Sequence, residues 1–307
     1  MKETIYIPDI ECDSCSRVLK KAFDKEDGII KYSINDESAT FEFDDSKTSP
    51  DHIINIIKSK GFRASTQSFE RKTFKERIRH FKENPSNYIV ESKIIPYTIG
   101  IFLIISILEV LAYFVFLKNI PDFFVNYGWW ILYLNISIAT IGVAIWHVVA
   151  YLKNKITCMT GMMIGMTIGM QTGMMIGAVI GATNGFFAGA MVGMLLGCLV
   201  GWLTGKCCGV MGTMEGMMAG LMGGTMGPMI SIMMFSDNLL IFMPFYIIIN
   251  VIILGGLSIM MYEEVAEGKK HEKKPADFMT LSSIAIIATF ILLAIMIYGP
   301  KSPLVSF

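Results

Sequence analysis

Glycine recurs at every fourth position along one stretch of the chain, from Gly161 to Gly209, without a miss. The phase then slips by one residue, and the four-residue spacing resumes from Gly212 to Gly224. In lipid, helices associate where small residues let their backbones approach, so this spacing predicts closely packed membrane helices. A single helix over 161–209 would be roughly 74 Å long, against a hydrocarbon core of only ~30 Å. The stretch therefore has to divide into several spans.

Two polar interruptions, at residues 183–185 and 205–209, predict where the stretch divides. A four-residue step overshoots the 3.6-residue turn by ~40°, so the glycines drift around each helix. We therefore expect each helix to have close neighbours on more than one side, at the centre of a bundle. The three predicted helices are about 157–182, 186–204 and 209–235.

Methionine is concentrated in the same region, since residues 158–234 hold 18 of the chain's 24 methionines. The thioether is a soft, neutral ligand that suits Cu(I) and similar ions and costs little to bury in lipid. Methionine also fills gaps in ordinary packing, but other residue types dominate the other apolar spans. We interpret the methionines as candidate ligands along a metal path. They form two rows with the four-residue step: Met162, Met166, Met170 and Met174, and Met214, Met218, Met222 and Met226.

The chain of 307 residues has no net formal charge, but this average joins two unlike parts. The composition predicts a soluble domain at 1–69, a basic amphipathic linker at 70–92 and a transmembrane domain at 93–307 with its Gly/Met core at 157–235. The linker is expected to form an amphipathic helix that lies on the anionic inner leaflet of a membrane. The alternative is a solvated connector. No basic patch is interleaved with aromatic residues, so we expect no nucleic-acid partner.

Seven apolar spans are long enough to cross a membrane. Lysines concentrate in the loops on one side, and by the positive-inside rule this side is cytoplasmic. We therefore expect a multi-pass protein of the plasma membrane with its N-terminus in the cytoplasm and its C-terminus outside. The four spans besides the Gly/Met helices are about 94–117, 127–151, 238–262 and 279–298.

The N-terminal part alternates in the order strand, helix, strand, strand, helix, strand. Ser49-Pro50 has the form of a helix N-cap followed by proline at the first helical position, and Gly61 ends that helix. This order predicts a ferredoxin-like α+β (βαββαβ) domain, joined to an all-α bundle of about seven membrane helices. The other predicted elements are the strands 4–7, 29–34, 39–43 and 64–69 and the helix 14–23.

Cys12-Asp13-Ser14-Cys15 lies between the first predicted strand and the first helix. The loop places Cys12 before the helix and Cys15 in its first turn, where the helix dipole favours a thiolate. Two sulfurs with no other local ligand suit a low-coordinate soft ion, foremost Cu(I) and also Ag(I) or Hg(II), better than tetrahedral Zn(II). The alternatives are a redox-active pair and an inert pair.

These residues resemble the heavy-metal-associated domain of copper metallochaperones and copper pumps. The resemblance is carried by Ile10-Glu11-Cys12-Asp13-Ser14-Cys15 and by Lys60-Gly61-Phe62, and it covers nearly all of residues 1–69. It implies that Cys12 and Cys15 bind the ion and hand it over by ligand exchange. A cytosolic copper chaperone is then a candidate partner.

The membrane part holds four further cysteines. On the predicted topology, Cys158, Cys207 and Cys208 lie at the cytoplasmic ends of the Gly/Met helices. Thiolates at this mouth would precede a thioether relay that holds the ion weakly enough to release it. The alternative for Cys207-Cys208 is a tight turn of small residues, and Cys198, inside a span, is more consistent with packing.

Polar residues inside the spans are few. Membrane carboxylates are functional candidates by default, which singles out Glu109 and Glu215, although Glu215 is close enough to the mouth to be simply solvated. The remaining polar side chains are expected to form hydrogen bonds between helices rather than to bind metal. They include Asn135, His147, Gln171 and Asn250.

The repeated Met-x-x-x-Met and Gly-x-x-x-Gly steps resemble the pore signature of Ctr-type copper transporters. The adjacent cysteines and the attached metal-binding domain also resemble Mer-type mercury transport proteins. No phosphorylated-aspartate motif, P-loop or nucleotide domain is present, so we expect neither a copper ATPase nor any other enzyme. The leading hypothesis is transport or membrane-linked handling of Cu(I), in a chain that can oligomerise. The alternatives are a mercury(II) importer and a non-transporting membrane-tethered metallochaperone or sensor.

Overall fold

The chain forms two compact units, Met1–Asn84 and Pro85–Phe307, and the boundary lies within the predicted linker, 70–92. Each unit is described by itself. Most of that linker falls outside the residues that the structure describes. This computed structural model describes residues 2–8, 10, 13–26, 28–35, 38–44, 47–60, 62–67, 89–118, 123–151, 158–261 and 278–303.

The N-terminal unit has the predicted ferredoxin-like arrangement of an antiparallel sheet and two helices. The strand order is β1-β3-β2, and both pairings are antiparallel. In place of the last predicted strand, 64–69, the described residues show one antiparallel bridge between Tyr6 and Ser65. The elements are β1 (Lys2–Tyr6), α1 (Asp13–Phe23), β2 (Ile29–Ile34), β3 (Ser38–Phe43) and α2 (Pro50–Ser59).

Large apolar side chains fill the interior of this unit. Along β3, Phe41 and Phe43 point inward with the two-residue period of a strand. They meet Phe23 of α1, whose ring centroid lies 4.9 Å from that of Phe41 in an edge-to-face arrangement. Helix α2 begins as predicted, because Ser49 Oγ accepts a hydrogen bond from the backbone N–H of His52 at 3.3 Å.

The second unit, Pro85–Phe307, is helical over most of its described residues and is here named the membrane unit for its long apolar helices. Helix α3 continues into a π-helical turn, Tyr113–Leu117. The predicted spans agree with the observed helices to within a few residues, because apolar runs and polar interruptions mark their ends. The helices are α3 (Ile89–Ala112), α4 (Phe123–Tyr151), α5 (Cys158–Asn184), α6 (Phe186–Gly205), α7 (Gly209–Met233), α8 (Leu239–Met261) and α9 (Phe278–Tyr298).

Six helical stretches of the described chain are long and apolar enough to cross a membrane. The fourth, Phe186–Ser236, is 51 residues long and contains both α6 and α7. These two helices form an antiparallel hairpin around the 3₁₀ turn Lys206–Cys208, since Gly205 lies against Gly212. The seven predicted spans thus correspond to six stretches, one of which turns back on itself.

Helices α5, α6 and α7 pack so closely that their backbones touch. A Cβ atom at Gly169 of α5 would lie 2.7 Å from the carbonyl oxygen of Gly216 in α7 and 3.0 Å from Gly201 Cα in α6. The same meeting of three glycines recurs one turn away, where Gly165 faces Gly205 and Gly212. The glycine repeat therefore forms the inner surface of a three-helix unit, here named the glycine trio, as small-residue packing in lipid predicts.

Each helix of the glycine trio packs against the other two, which confirms the expectation of close neighbours on more than one side. The expected place at the centre of the bundle is correct only for α5, which is buried along most of its length, whereas α6 and α7 leave one face uncovered. The closest contacts between these helices are made by glycine backbone rather than by a column of sulfur atoms. Instead, the α7 row faces outward, with 58% of Met214, 60% of Met218 and 52% of Met222 exposed.

The offset between the glycine repeat and the methionine repeat explains why the α7 methionines face outward. Each residue advances a helix by ~100°, so a methionine two positions after a glycine points to the opposite side. Met214 and Met218 follow Gly212 and Gly216 in this way. In α5 the methionines follow the glycines by one position, and Met162, Met170 and Met174 are accordingly half-buried while Met166 is at the edge of exposure.

Candidate metal centre

The first candidate pair, Cys12 and Cys15, lies at the start of α1. Helix α1 begins at Asp13, so Cys15 is in its first turn, as the sequence predicts. Cys12 and the side chain of Cys15 lie outside the described residues. Further along α1, Leu19 and Phe23 are fully buried, which fixes this helix against the sheet. Metal binding by the pair itself stays a prediction from the sequence.

A second pair, Cys207 and Cys208, lies in the turn between α6 and α7. Both sulfurs lie against the same point of α5: a Cβ atom at Gly161 would be 2.8 Å from Cys207 Sγ and 2.6 Å from Cys208 Sγ. Since both distances start at one point, the separation of the sulfurs cannot exceed their sum. An ion held by two opposed thiolates requires sulfurs about twice a ~2.3 Å metal–thiolate bond apart, and this separation lies within that limit.

The local sequence explains why the two sulfurs converge. Cys207 and Cys208 end the 3₁₀ turn, and Gly209 then adopts a positive φ of 67° that starts α7 in a new direction. Such a φ is costly for other residue types, so glycine allows the sharp reversal. Gly161, which has no side chain, leaves the space that the sulfurs occupy. The site therefore depends on two glycines as much as on two cysteines.

The first turn of α5 provides the electrostatic setting of this pair. Gly161 is the fourth residue of a helix that begins at Cys158, so both sulfurs lie beside the positive end of the helix dipole. This end favours anionic thiolates, the form that binds metal. Cys158 lies three positions before Gly161, a spacing that shares one helix face. The side chain of Cys158 lies outside the described residues, so its role as a ligand stays a prediction from the sequence.

The described surroundings of this pair include a carbonyl acceptor for one of the thiols. Neither cysteine is in a disulfide, and both are half-buried. The thiol of Cys207 donates to the carbonyl oxygen of Thr204 at 3.5 Å. The ammonium of Lys206 lies 4.7 Å over the ring of Trp202, one turn earlier in α6. Within the described part of the chain, no three His, Cys, Asp or Glu side chains cluster.

Several of the other predicted residues lie elsewhere in the membrane unit. The α7 methionines Met218, Met222 and Met226 point away from the glycine trio. Cys198 packs as expected, because its thiol donates to the carbonyl oxygen of Met217 in the facing helix at 3.3 Å. Asn135 forms the expected bond between helices, to Glu109. Asn250 is an exception, since it donates at 2.7 Å to Tyr246 within its own helix.

Gly161 is a position of the candidate site that the sequence prediction does not include. In the sequence it is the first member of a packing repeat, and its contact with the two cysteines is not predicted. The available signal was its spacing, because it shares a helix face with Cys158 at the end of the stretch where the cysteines were expected to meet.

Comparison with known proteins bears on the N-terminal unit. Residues 4–63 match the family model of the heavy-metal-associated domain. A mercuric transport protein periplasmic component from Pseudomonas fluorescens is 31% identical over 67 residues, which are 21% of this chain and 74% of that protein. No solved structure matches the chain.

Proposed function

This chain belongs to the heavy-metal-associated domain family through residues 4–63, and we propose that it handles a soft heavy-metal ion at two thiol sites. The first is the family site, Cys12 and Cys15, in the N-terminal unit. The second is Cys207 and Cys208, in a unit with six stretches suited to crossing a membrane. The observation that carries the second site is the convergence of both sulfurs on Gly161.

The chemistry of both sites favours a thiophilic ion that accepts two ligands. Thiolates select soft ions such as Cu(I), whereas structural Zn(II) is almost always bound by four ligands. Of the soft ions, Cu(I) agrees with the methionine-rich composition, and Hg(II) agrees with the similarity to a protein described as a mercuric transport component. Ag(I) has the same preferences as Cu(I) and is a convenient probe.

Ligand exchange between the two sites is the proposed mechanism. A two-coordinate ion accepts a third thiolate without first losing a ligand, so it can pass from one cysteine pair to another through a shared intermediate. Each pair needs to bind firmly enough to accept the ion and weakly enough to release it. The half-buried sulfurs of Cys207 and Cys208 remain partly accessible to such an incoming ligand.

Transport along the methionines requires more than one chain. The interior of the glycine trio is closed by backbone, so the outward α7 row, including Met218 and Met222, can line a path only against a second copy or another partner. Movement of the ion across the membrane is therefore a proposal that includes an oligomer. The alternative is a membrane-tethered metallochaperone that binds metal at both sites without flux.

Metal stoichiometry and flux test this proposal together. The full chain in lipid nanodiscs is expected to bind two Ag(I) or Cu(I) ions in competition with a thiol buffer, and Cys207→Ser/Cys208→Ser only one. Cys198→Ser, which alters a packing thiol, serves as the matched control and keeps both ions. Equal stoichiometry in all three chains would contradict the second site. Flux of Cu(I) or Hg(II) into proteoliposomes then separates a transporter from a tethered chaperone.

A further inference from the structure

A second buried polar site lies between α3 and α4, away from the cysteines. The side-chain amide of Asn135 in α4 donates a hydrogen bond from Nδ2 to Glu109 Oε2 in α3. Only 9% of Glu109 and 2% of Asn135 is exposed. Both groups are therefore withdrawn from solvent, and the bond between them joins two membrane helices.

The two remaining oxygens of this pair lack donors. Glu109 Oε1 and Asn135 Oδ1 are both buried, and neither has a hydrogen-bond partner among the described residues. If Glu109 were ionised, the pair would present these two acceptors and a negative charge in the interior, which is strongly unfavourable. A neutral carboxylic acid removes the charge and supplies the missing donor, because its O–H can bond Asn135 Oδ1 while the amide bonds Oε2.

Among the described residues of the surrounding helices, the cations lie far from Glu109 along the chain. Helix α4 contains no Asp, Glu, Lys or Arg, and helix α9, which also packs against α3, carries Tyr298 as its one titratable residue. On α3, the charged residues Glu91 and Lys93 lie more than four turns before Glu109, with Lys93 about 24 Å away along the helix. Lys118, which ends the π-helical extension, lies nine residues after Glu109, roughly 13 Å along the helix. The remaining titratable groups of these elements are Tyr97 and Tyr113 on the α3 side and Tyr127, Tyr133, His147 and Tyr151 on α4.

We propose that Glu109 and Asn135 form a proton-binding site inside the membrane unit, in which Glu109 holds the proton as a neutral acid paired with the amide. Loss of the proton would leave an uncompensated charge between α3 and α4 unless water entered. Release of the proton is thus linked to loosening of this helix contact, and rebinding to its closure. The π-helical turn that begins at Tyr113, one turn after Glu109, is a type of irregularity frequent at functional sites. This inference is independent of the metal sites.

Infrared spectroscopy of the full chain in lipid vesicles tests the site directly. Near neutral pH, where an exposed glutamate is ionised, the wild-type protein is expected to show the C=O band of one protonated carboxyl group. The band should be absent in Glu109→Gln and retained in Glu215→Gln, a matched membrane carboxylate on α7. Asn135→Leu should shift the band to higher frequency through loss of the hydrogen bond, and the control Asn250→Leu should leave it in place. A band that persists in Glu109→Gln would overturn the proposal.

A measurement on the unaltered sequence keeps the test decisive if the Gln variant does not fold. Uniform ¹³C labelling of glutamate in the wild-type chain should shift the protonated-carboxyl band to lower frequency. The absence of any such band near neutral pH would contradict the proton site without reference to a variant. Where Glu109→Gln does fold, its amide mimics the neutral acid, so the wild type should lose thermal stability relative to this variant as the pH rises. Parallel pH profiles of the two proteins would also overturn the proposal.

Discussion

The two units of this protein reach close packing by opposite means. In the N-terminal unit, bulky side chains such as Phe23, Phe41 and Phe43 fill the interior, and removal of their apolar surface from water drives the packing. In the glycine trio, the absence of side chains at positions such as Gly201 and Gly216 lets backbones touch. Lipid is as apolar as leucine, so apolar surface gives no advantage there and close approach decides the association.

The difference also determines where each unit can place a metal ligand. In the N-terminal unit the interior is filled by apolar side chains, so metal ligands have to come from the loops and helix ends, as with Cys12 and Cys15 at the start of α1. In the glycine trio the helices touch through their backbones, so the turn between two helices comes close to the third, as with Cys207 and Cys208 against Gly161. The candidate membrane site thus depends on the glycine packing. Four sets of substitutions test this contrast between side-chain packing in the N-terminal unit and backbone packing in the glycine trio.

The largest expected effect comes from adding a side chain inside the glycine trio. Gly201→Leu should abolish folding or cost more than the about 1–3 kcal/mol typical of overpacking, because the obstructing atoms belong to the Gly216 backbone, which cannot turn aside. Thermal unfolding in detergent measures the loss. Gly255→Leu in α8 is the control, since a Cβ atom there meets nothing within 4 Å. Equal tolerance at both positions would refute backbone packing.

The second effect comes from removing a side chain in the N-terminal unit. Phe41→Ala should cost about 3–5 kcal/mol, because this fully buried ring leaves a cavity against Phe23. Hydrogen exchange of β3 amides in the full chain reports on this unit alone. Ile30→Ala, with a side chain that is 74% exposed, should change stability by less than about 0.5 kcal/mol. Similar losses in both variants would contradict the assigned core.

A smaller effect is expected at the start of α2. Ser49→Ala removes the side-chain oxygen that accepts from the His52 backbone N–H and should cost about 1 kcal/mol. Ser49→Asp, which keeps an acceptor at the N-cap, should restore most of it. Urea titration followed by hydrogen exchange of the β3 amides measures the stability of both variants. An Ala variant as stable as the wild type would show that the Ser49 cap does not stabilise α2.

The smallest effect is expected on the outer face of α7. Met218→Leu/Met222→Leu should change the free energy of unfolding by less than about 0.5 kcal/mol, because both side chains are more than half exposed. Met175→Leu, at a position with 1% exposure, is the buried counterpart and should cost up to about 1.5 kcal/mol. A larger loss from the outer pair would indicate that another chain covers this face. A loss of metal flux without a loss of stability would assign the row a role in transport.

The sequence predicts most of the architecture, because its signals are local. Ser49-Pro50 marks a helix start through capping chemistry, and Gly185 and Gly209, both with positive φ, mark the two breaks in the glycine stretch. The direction in which the methionines face does not follow from their spacing alone. Glycine and methionine share a four-residue period, and only the offset of two positions between Gly216 and Met218 places them on opposite sides of α7.

The candidate site was predicted only in part, for a physical reason. Cys207 and Cys208 were expected at a common mouth with Cys158, which follows from the helix ends. The contact with Gly161 depends on the axial register of α5 against the α6–α7 hairpin, and a repeat of identical glycines allows several registers. The bond between Asn135 and Glu109 likewise requires the spacing of two helices that the sequence does not specify.

The most direct test is X-ray absorption spectroscopy of the Cu(I)-loaded full chain with Cys12→Ser/Cys15→Ser, which leaves the membrane thiols as the candidate cysteine site. We expect one Cu(I) ion bound at Cys207 and Cys208, with sulfur neighbours at about 2.3 Å by analogy with metal–thiolate bonds. This signal should disappear when Cys207→Ser/Cys208→Ser is added and remain when Cys198→Ser is added instead. No bound Cu(I) in the first variant, or an unchanged spectrum in the second, would contradict a metal site at the turn between α6 and α7.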